Sequence, residues 1–190
     1  FNRAITGRYP PGSTIKPFIA LAGLHHGLRT PADRVFCSGA FRLPRVSRPW
    51  RCWQRRGHGW MSMHDAVAQS CDVYFYDLAH RLGIDTLAGF LDGFGFGRET
   101  GIDLPGESRG VLPSREWKRE QLGTGWFPGE TVITGIGQGY FLTTPLQLAC
   151  ATATLARKGM RIQPRLLLSS QSGASVPSRD VELGSDADWE

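Results

Sequence analysis

The chain has 190 residues, 41% of them hydrophobic and 21% charged, with a formal net charge of +5. Those values fit one globular domain with a core of its own, and the absence of any run of about eighteen apolar residues excludes a membrane-spanning segment within it. No signal peptide is visible, and because the sequence opens at Phe1 without an initiator Met, we expect it to be a piece of a longer protein.

The first element is announced by Tyr9-Pro10-Pro11-Gly12-Ser13-Thr14-Ile15-Lys16-Pro17, a proline-glycine turn running into an apolar helix over residues 18–24. Ser13 and Lys16 are three apart, so both project from one helical face and an amine stands beside a hydroxyl. Serine is a weak nucleophile until a base takes its proton, and a lysine of lowered pKa can do so. Ser-x-x-Lys also arises by chance as a helix cap and a solvated lysine, so its weight comes from the motifs that follow. Gly27 is expected to end this helix.

Residues 31–62 show little periodicity and much Pro, Gly and Arg. So long a loop in a compact domain needs something to hold it. Cys37, Cys52 and His58 lie in it and Cys71 follows, a plausible Cys₃His zinc set, though its long spacings lack a Cys-x-x-Cys pair. A Cys37–Cys52 disulfide and separate buried thiols are the competing readings. Cys150 falls within a helical apolar pattern and reads as core. Six arginines crowd residues 42–56 around Trp50 and Trp53. A solvated basic loop is the leading reading of that run, an anionic surface or partner the next, and a nucleic-acid partner is not expected.

A short helix is expected over residues 63–69 and a second through Leu82, stopped by Gly83. In the turn between them, Ser70 and Asp72 point one way, toward Ser13 and Lys16, and Cys71 the other. Asp85 is expected to cap the next helix, residues 94–105 read as turns and a short strand, and Ser114 is expected to cap residues 115–121. Residues 131–136 read as a strand leading into Gly137-Gln138-Gly139-Tyr140, where glycines would let backbone approach a ligand. Thr144-Pro145-Leu146-Gln147 is a capping box opening a helix to about Lys158. Residues 161–168 look extended, and residues 169–190, polar and nearly without large apolar side chains, are expected to be loose.

Together these motifs resemble the transpeptidase domain of the class B penicillin-binding proteins, in the branch of the rod-shape elongation system. The matching pieces are the nonapeptide ending at Pro17, Gly57-His58-Gly59, Ser70-Cys71-Asp72 with Tyr74-Phe75-Tyr76, residues 100–103, and residues 135–140 leading to Thr144-Pro145-Leu146-Gln147. They span nearly the whole chain up to about Leu168. Asp72 stands where most of the superfamily has Asn.

The resemblance implies an α+β, β-lactamase/transpeptidase-like fold, truncated to mostly its helical part with a few strands, over residues 1–168. It implies a peptidoglycan D,D-transpeptidase in which Ser13 attacks the D-alanyl-D-alanine bond of a stem peptide and Lys16 is the general base. Ser70 would relay a proton, Asp72 would orient Ser70 and Lys16, and Gln138, Gly139 and Tyr140 would contact substrate. β-Lactams would acylate the same serine. No catalytic cofactor is implied, while a structural Zn²⁺ on Cys37, Cys52, His58 and Cys71 is strengthened, since some members of this branch carry ligands in that segment. Implied partners are stem peptides, a membrane glycosyltransferase and elongation-complex proteins, at the periplasmic side of the bacterial inner membrane. The family's Lys-Thr-Gly strand, which supplies the substrate carboxylate site and an oxyanion donor, is absent, so this piece alone is expected to be inactive. A serine β-lactamase and a non-catalytic penicillin-recognising sensor are the alternatives.

Overall fold

A computed structural model describes residues 2–167, 180–183 and 185–189. In chain order its elements are α1 (Arg3–Thr6), a 3₁₀ turn (Gly12–Ile15) continuing into α2 (Lys16–His25), β1 (Val35–Cys37), β2 (Ala40–Phe41), β3 (Trp50–Arg51), β4 (Gly59–Met61), α3 (Met63–Ala68), α4 (Asp72–Leu82), α5 (Ile84–Gly93), α6 (Arg115–Leu122), α7 (Pro128–Thr134), α8 (Pro145–Ala156) and a terminal 3₁₀ turn (Asp186–Trp189).

Helix α4 is the hub. It buries Phe75, Leu78 and Ala79 completely and packs against α2, α5 and α7. Two glycines set the spacing. A Cβ on Gly23 of α2 would lie 2.9 Å from Leu78, and one on Gly135, just after α7, would lie 2.3 Å from the Ala79 Cβ. The helices therefore approach more closely than alanine would allow. Beyond α2 the core continues through edge-to-face ring pairs, Phe18 with Phe94 and Phe96, and Phe96 with Phe141.

Residues 31–62 are not a featureless loop. They form two nested antiparallel ribbons, β1 with β4 (Cys37 opposite Gly59) and, inside it, β2 with β3 (Ala40 opposite Arg51). The strands are two or three residues long, too short for any period to show in the sequence.

Residues 131–136 are a second departure. The expected strand is instead the body of α7 and its exit turn. The run Thr131-Val132-Ile133 favours β-structure locally. Pro128 in the first turn and the Glu130 carboxylate, accepting the Phe127 N–H at 2.8 Å, start a helix there. Packing against α4, with Val132 fully buried, overrides the propensity.

Asp85 does not cap α5. Gly83, at φ 73°, ends α4 and opens α5, while Asp85 sits in the first turn and pairs with Arg115. No strand forms over residues 94–105 or 161–167. Ser114, Thr144 and Gly27 behave as expected. Of the tail expected to be loose, residues 168–179, 184 and 190 lie outside the described residues. Val181 donates to the Gly159 carbonyl at 3.0 Å, and the Trp189 ring lies 6.4 Å from Phe94.

Candidate active site

Two helix ends build the site. Gly12, at φ 59°, turns the chain into the 3₁₀ segment, which leaves Ser13 exposed and buries Lys16 at 1% exposure. Gly12 is held from outside: its N–H donates to the Gly137 carbonyl at 2.9 Å. A Cβ on Gly137 would fall 2.3 Å from the Gly12 oxygen, so the glycine turn of residues 135–140 is what lets α7 brace the serine.

The opposite wall is the junction of α3 and α4. Helix α3 ends in a Schellman motif: Ser70 N–H donates to Val67 O at 3.2 Å and Cys71 N–H to Ala66 O at 2.9 Å. That motif requires a left-handed residue, normally glycine, at the position of Ser70, whose φ is 53°. The same motif ends α2, with Gly27 in the equivalent place and Leu28 N–H bonding Gly23 O at 2.9 Å. A serine where glycine is favoured carries strain of about 1 kcal/mol, and its hydroxyl is what the position gains.

These ends bring Ser13, Lys16, Ser70 and Asp72 together. Lys16 Nζ donates to Ser70 O at 2.9 Å, Ser70 Oγ at 2.9 Å and Asp72 Oδ1 at 2.7 Å. Ser70 Oγ is 2.8 Å from Ser13 Oγ. Lysine and Ser13 share no direct hydrogen bond, contrary to the contact expected from their i,i+3 spacing; Ser70 stands between them. The arrangement can pass a proton from Ser13 through Ser70 to the amine, and Asp72 holds the amine in place.

Trp53 escaped the sequence reading. Its N–H donates to Asp72 Oδ2 at 2.9 Å, and its indole N–H lies 3.1 Å from both Gln69 O and Ser70 O. The only available signal was an aromatic residue within an arginine run, and nothing local tied it to a residue nineteen positions on.

Behind Trp53, the ribbons bring Cys37, Cys52 and His58 to Cys71, with their donor atoms all within 4.8 Å of one another. His58 Nδ1 is 3.5 Å from Cys37 Sγ and 3.6 Å from Cys52 Sγ. Its Nε2 is buried without a partner among the described residues. All four cysteines, including partly buried Cys150, are free thiols. The hydrogen bond with Cys71 holds the Cys52 thiol down to about 5; the same bond, then burial, pushes Cys71 well above the thiol range.

A cavity of about 570 Å³ opens over the constellation, lined by Ser13, Ser70, Asp72, Arg51, Arg55 and Gln138 among others. Gly139 and Tyr140 do not line it. Tyr140 turns instead toward Trp117, at 5.3 Å, and buried Lys118, whose Nζ lies 5.8 Å from its ring.

The chain belongs to the penicillin binding protein transpeptidase domain family, whose description matches residues 1–182. Within it, the chain is similar to the peptidoglycan D,D-transpeptidase MrdA of Acinetobacter baumannii, 44% identical over all of this chain and 29% of that protein. It is also similar to Pseudomonas aeruginosa PBP2, solved in complex with WCK 5153, with a TM-score of 0.95 and 49% identity over all of this chain and 44% of that one. PBP2 from Helicobacter pylori, solved in complex with MreC, matches with a TM-score of 0.86 and 33% identity, covering 95% of this chain and 32% of that one. The chain thus spans less than a third of the length of the curated relatives it matches. No helix among the described residues is long and apolar enough to cross a membrane.

Proposed function

We propose that this domain carries the acyl-transfer site of a peptidoglycan D,D-transpeptidase. The observation that carries the reading is the continuous path Ser13 Oγ, Ser70 Oγ, Lys16 Nζ, with links of 2.8 and 2.9 Å. With the amine neutral, Ser13 Oγ attacks the carbonyl between two terminal D-alanines, and its proton moves through Ser70 to Lys16. The carbon–nitrogen bond breaks, Ser70 returns the proton to the departing D-alanine amine, and the peptide stays as an ester on Ser13. An acceptor amine then attacks that ester, forming the new amide and releasing the Ser13 hydroxyl. Asp72 holds Lys16 and Ser70 in register, and Gln138 lines the substrate's path. None of these steps calls for a cofactor. β-Lactams, which mimic the D-alanyl-D-alanine end, acylate the same serine.

Cys37, Cys52, His58 and Cys71 would hold a structural Zn²⁺. Three sulfurs and one imidazole nitrogen are a common tetrahedral set, and Zn–S bonds of about 2.3 Å put neighbouring donors about 3.8 Å apart, close to the present convergence. The ion would tie the ribbons to the start of α4 and take no part in the chemistry. Metal analysis of the intact protein tests this: about one zinc per chain is expected, and metal-free protein with Cys37 and Cys52 disulfide-bonded would overturn it.

By likeness to its relatives, we place the domain at the periplasmic side of the inner membrane, with stem peptides as substrates and a glycosyltransferase and elongation proteins as partners. The domain piece alone is inactive in this reading. The test is covalent labelling of the intact protein by a fluorescent penicillin. A stable adduct on Ser13, absent in Ser13→Ala, is expected. Sustained nitrocefin turnover would indicate a β-lactamase instead, and no label at all a non-catalytic sensor.

A further inference from the structure

The cavity over Ser13 contains two guanidinium groups that the proposed chemistry does not use. Lys16 and Asp72 neutralise each other at 2.7 Å. Arg51 and Arg55 line the same cavity, and neither forms an ion pair with any described residue. The cavity therefore carries an uncompensated positive charge beside the reacting hydroxyls. The backbone bearing these arginines is fixed. The Arg51 carbonyl accepts from the Tyr76 hydroxyl at 3.2 Å, β3 pairs with β2, and Trp53 between the two arginines is bonded to Asp72. Most other arginines of the basic run, such as Arg48, do not line the cavity.

This inference rests on the acyl-transfer reading. Under it, the departing group is an amino acid whose amine sits next to a carboxylate. Ser70 gives that amine its proton, so the amine leaves on the side where Ser70 and the arginines line the cavity. Microscopic reversibility brings the acceptor amine in by the same face, to lose its proton to Ser70. As the new nitrogen–carbon bond forms and the Ser13 Oγ–carbon bond breaks, the amine proton returns through Ser70 to Ser13.

We infer that Arg51 and Arg55 bind the carboxylate adjacent to the reacting amine, so that the site selects α-amino carboxylates over amines lacking that group. A guanidinium fork suits a carboxylate, which it can bind through two parallel hydrogen bonds.

The experiment uses the intact protein, preformed ester donors, and D-alanine or D-alaninamide as acceptor. Donors carry thioglycolate or its uncharged methyl ester as leaving group, which separates a departing carboxylate from an incoming one. Wild type prefers the acceptor with the free carboxylate. Arg51→Ala/Arg55→Ala loses about three- to tenfold of that preference, a charge-assisted contact discounted for solvent exposure. Arg51→Lys/Arg55→Lys restores part of it. Arg48→Ala, which removes the same charge outside the cavity, retains the wild-type preference. A loss that follows the thioglycolate instead assigns the arginines to the departing carboxylate. Equal falls with both acceptors and both donors, or no change in either ratio, overturn the inference. Wild-type protein that forms no ester on Ser13 removes the functional reading itself, and a shifted melting temperature identifies a variant that has misfolded.

Discussion

Trp53 N–H and Lys16 Nζ divide the Asp72 carboxylate between them, the tryptophan bonding Oδ2 at 2.9 Å and the lysine Oδ1 at 2.7 Å. The residue that positions the amine is thus itself positioned by the nested ribbons. Asp72→Ala would leave a buried ammonium without its anion, at a cost of about 3–5 kcal/mol. We expect a lowered melting temperature and penicillin labelling reduced at least a hundredfold. Asp72→Asn, which keeps both contacts but removes the charge, should retain more of each. Equal loss in both variants would show that the charge matters and the contacts do not.

The left-handed Ser70 separates a structural role from a chemical one. Ser70→Gly relieves the backbone and Ser70→Ala does not, while both remove the hydroxyl. The glycine variant is expected to be the more stable by about 1 kcal/mol. Both should lose acylation by about 10²–10⁴, the usual worth of a positioned proton-transfer group. Thermal melts paired with labelling rates decide it: an alanine variant as stable as the glycine one would mean that φ 53° carries no strain.

Gly137→Ala tests the brace on the nucleophile. Its φ is 69°, and the added Cβ would meet Gly12 O at 2.3 Å and Gly12 N at 2.6 Å. Gly12 directly precedes Ser13, so displacement passes straight to the hydroxyl. A shift on the order of 1 Å can cost about 10² in rate. Labelling should fall by that order, with circular dichroism still reporting a folded chain.

Lys118 is buried at 2% exposure, paired with Glu130 at 2.6 Å and 4.5 Å from the Phe127 ring centroid. Glu130→Ala strands that ammonium and should cost about 3 kcal/mol, and adding Lys118→Met should recover most of it, since an apolar replacement of a buried pair is often close to neutral. Denaturant midpoints of the two single variants and the double variant measure this coupling; additive effects would show that the pair does not interact.

Asp103 predicts an acid-labile contact. Its carboxylate accepts the N–H groups of Leu166 at 2.8 Å and Leu167 at 2.9 Å, and these bonds hold its carboxyl below the ordinary value of 3.8. A depressed native pKa stabilises the folded form above the unfolded value and ceases to do so as the pH falls through the native one. Hydrogen-exchange protection at residues 166–167 should therefore hold at neutral pH and weaken below about 3.8. Asp103→Ala should lack that protection throughout.

The four reacting side chains were legible because each pair is local. Ser13 and Lys16 share a helical face, Ser70 and Asp72 share a turn, and the approach of the two pairs needed only that both turns belong to one core. The Cys37–Cys71 cluster was legible as residue types, which survive any reading of the intervening chain. Trp53, Arg51 and Arg55 were not, because their places depend on the register of ribbons two residues long. Residues 131–136 misled for the opposite reason: a β-branched run is a local signal, and burial against α4 is not. Ser70 hid its own role, since a serine at a helix end reads as a cap for the helix that follows and not as a left-handed stop for the one before.

Because β1 and β4 close the outer ribbon, Val35 lies opposite Met61 and both ends of the insertion are fixed where they leave the core. The inner ribbon repeats the closure at Ala40 and Arg51. Residues 42–49 form a tip whose length is mechanically isolated from the nucleophile by two successive clasps. A reporter group or extra residues grafted there would travel with the protein and leave Ser13 undisturbed, so the tip is the natural handle for following this domain in living cells.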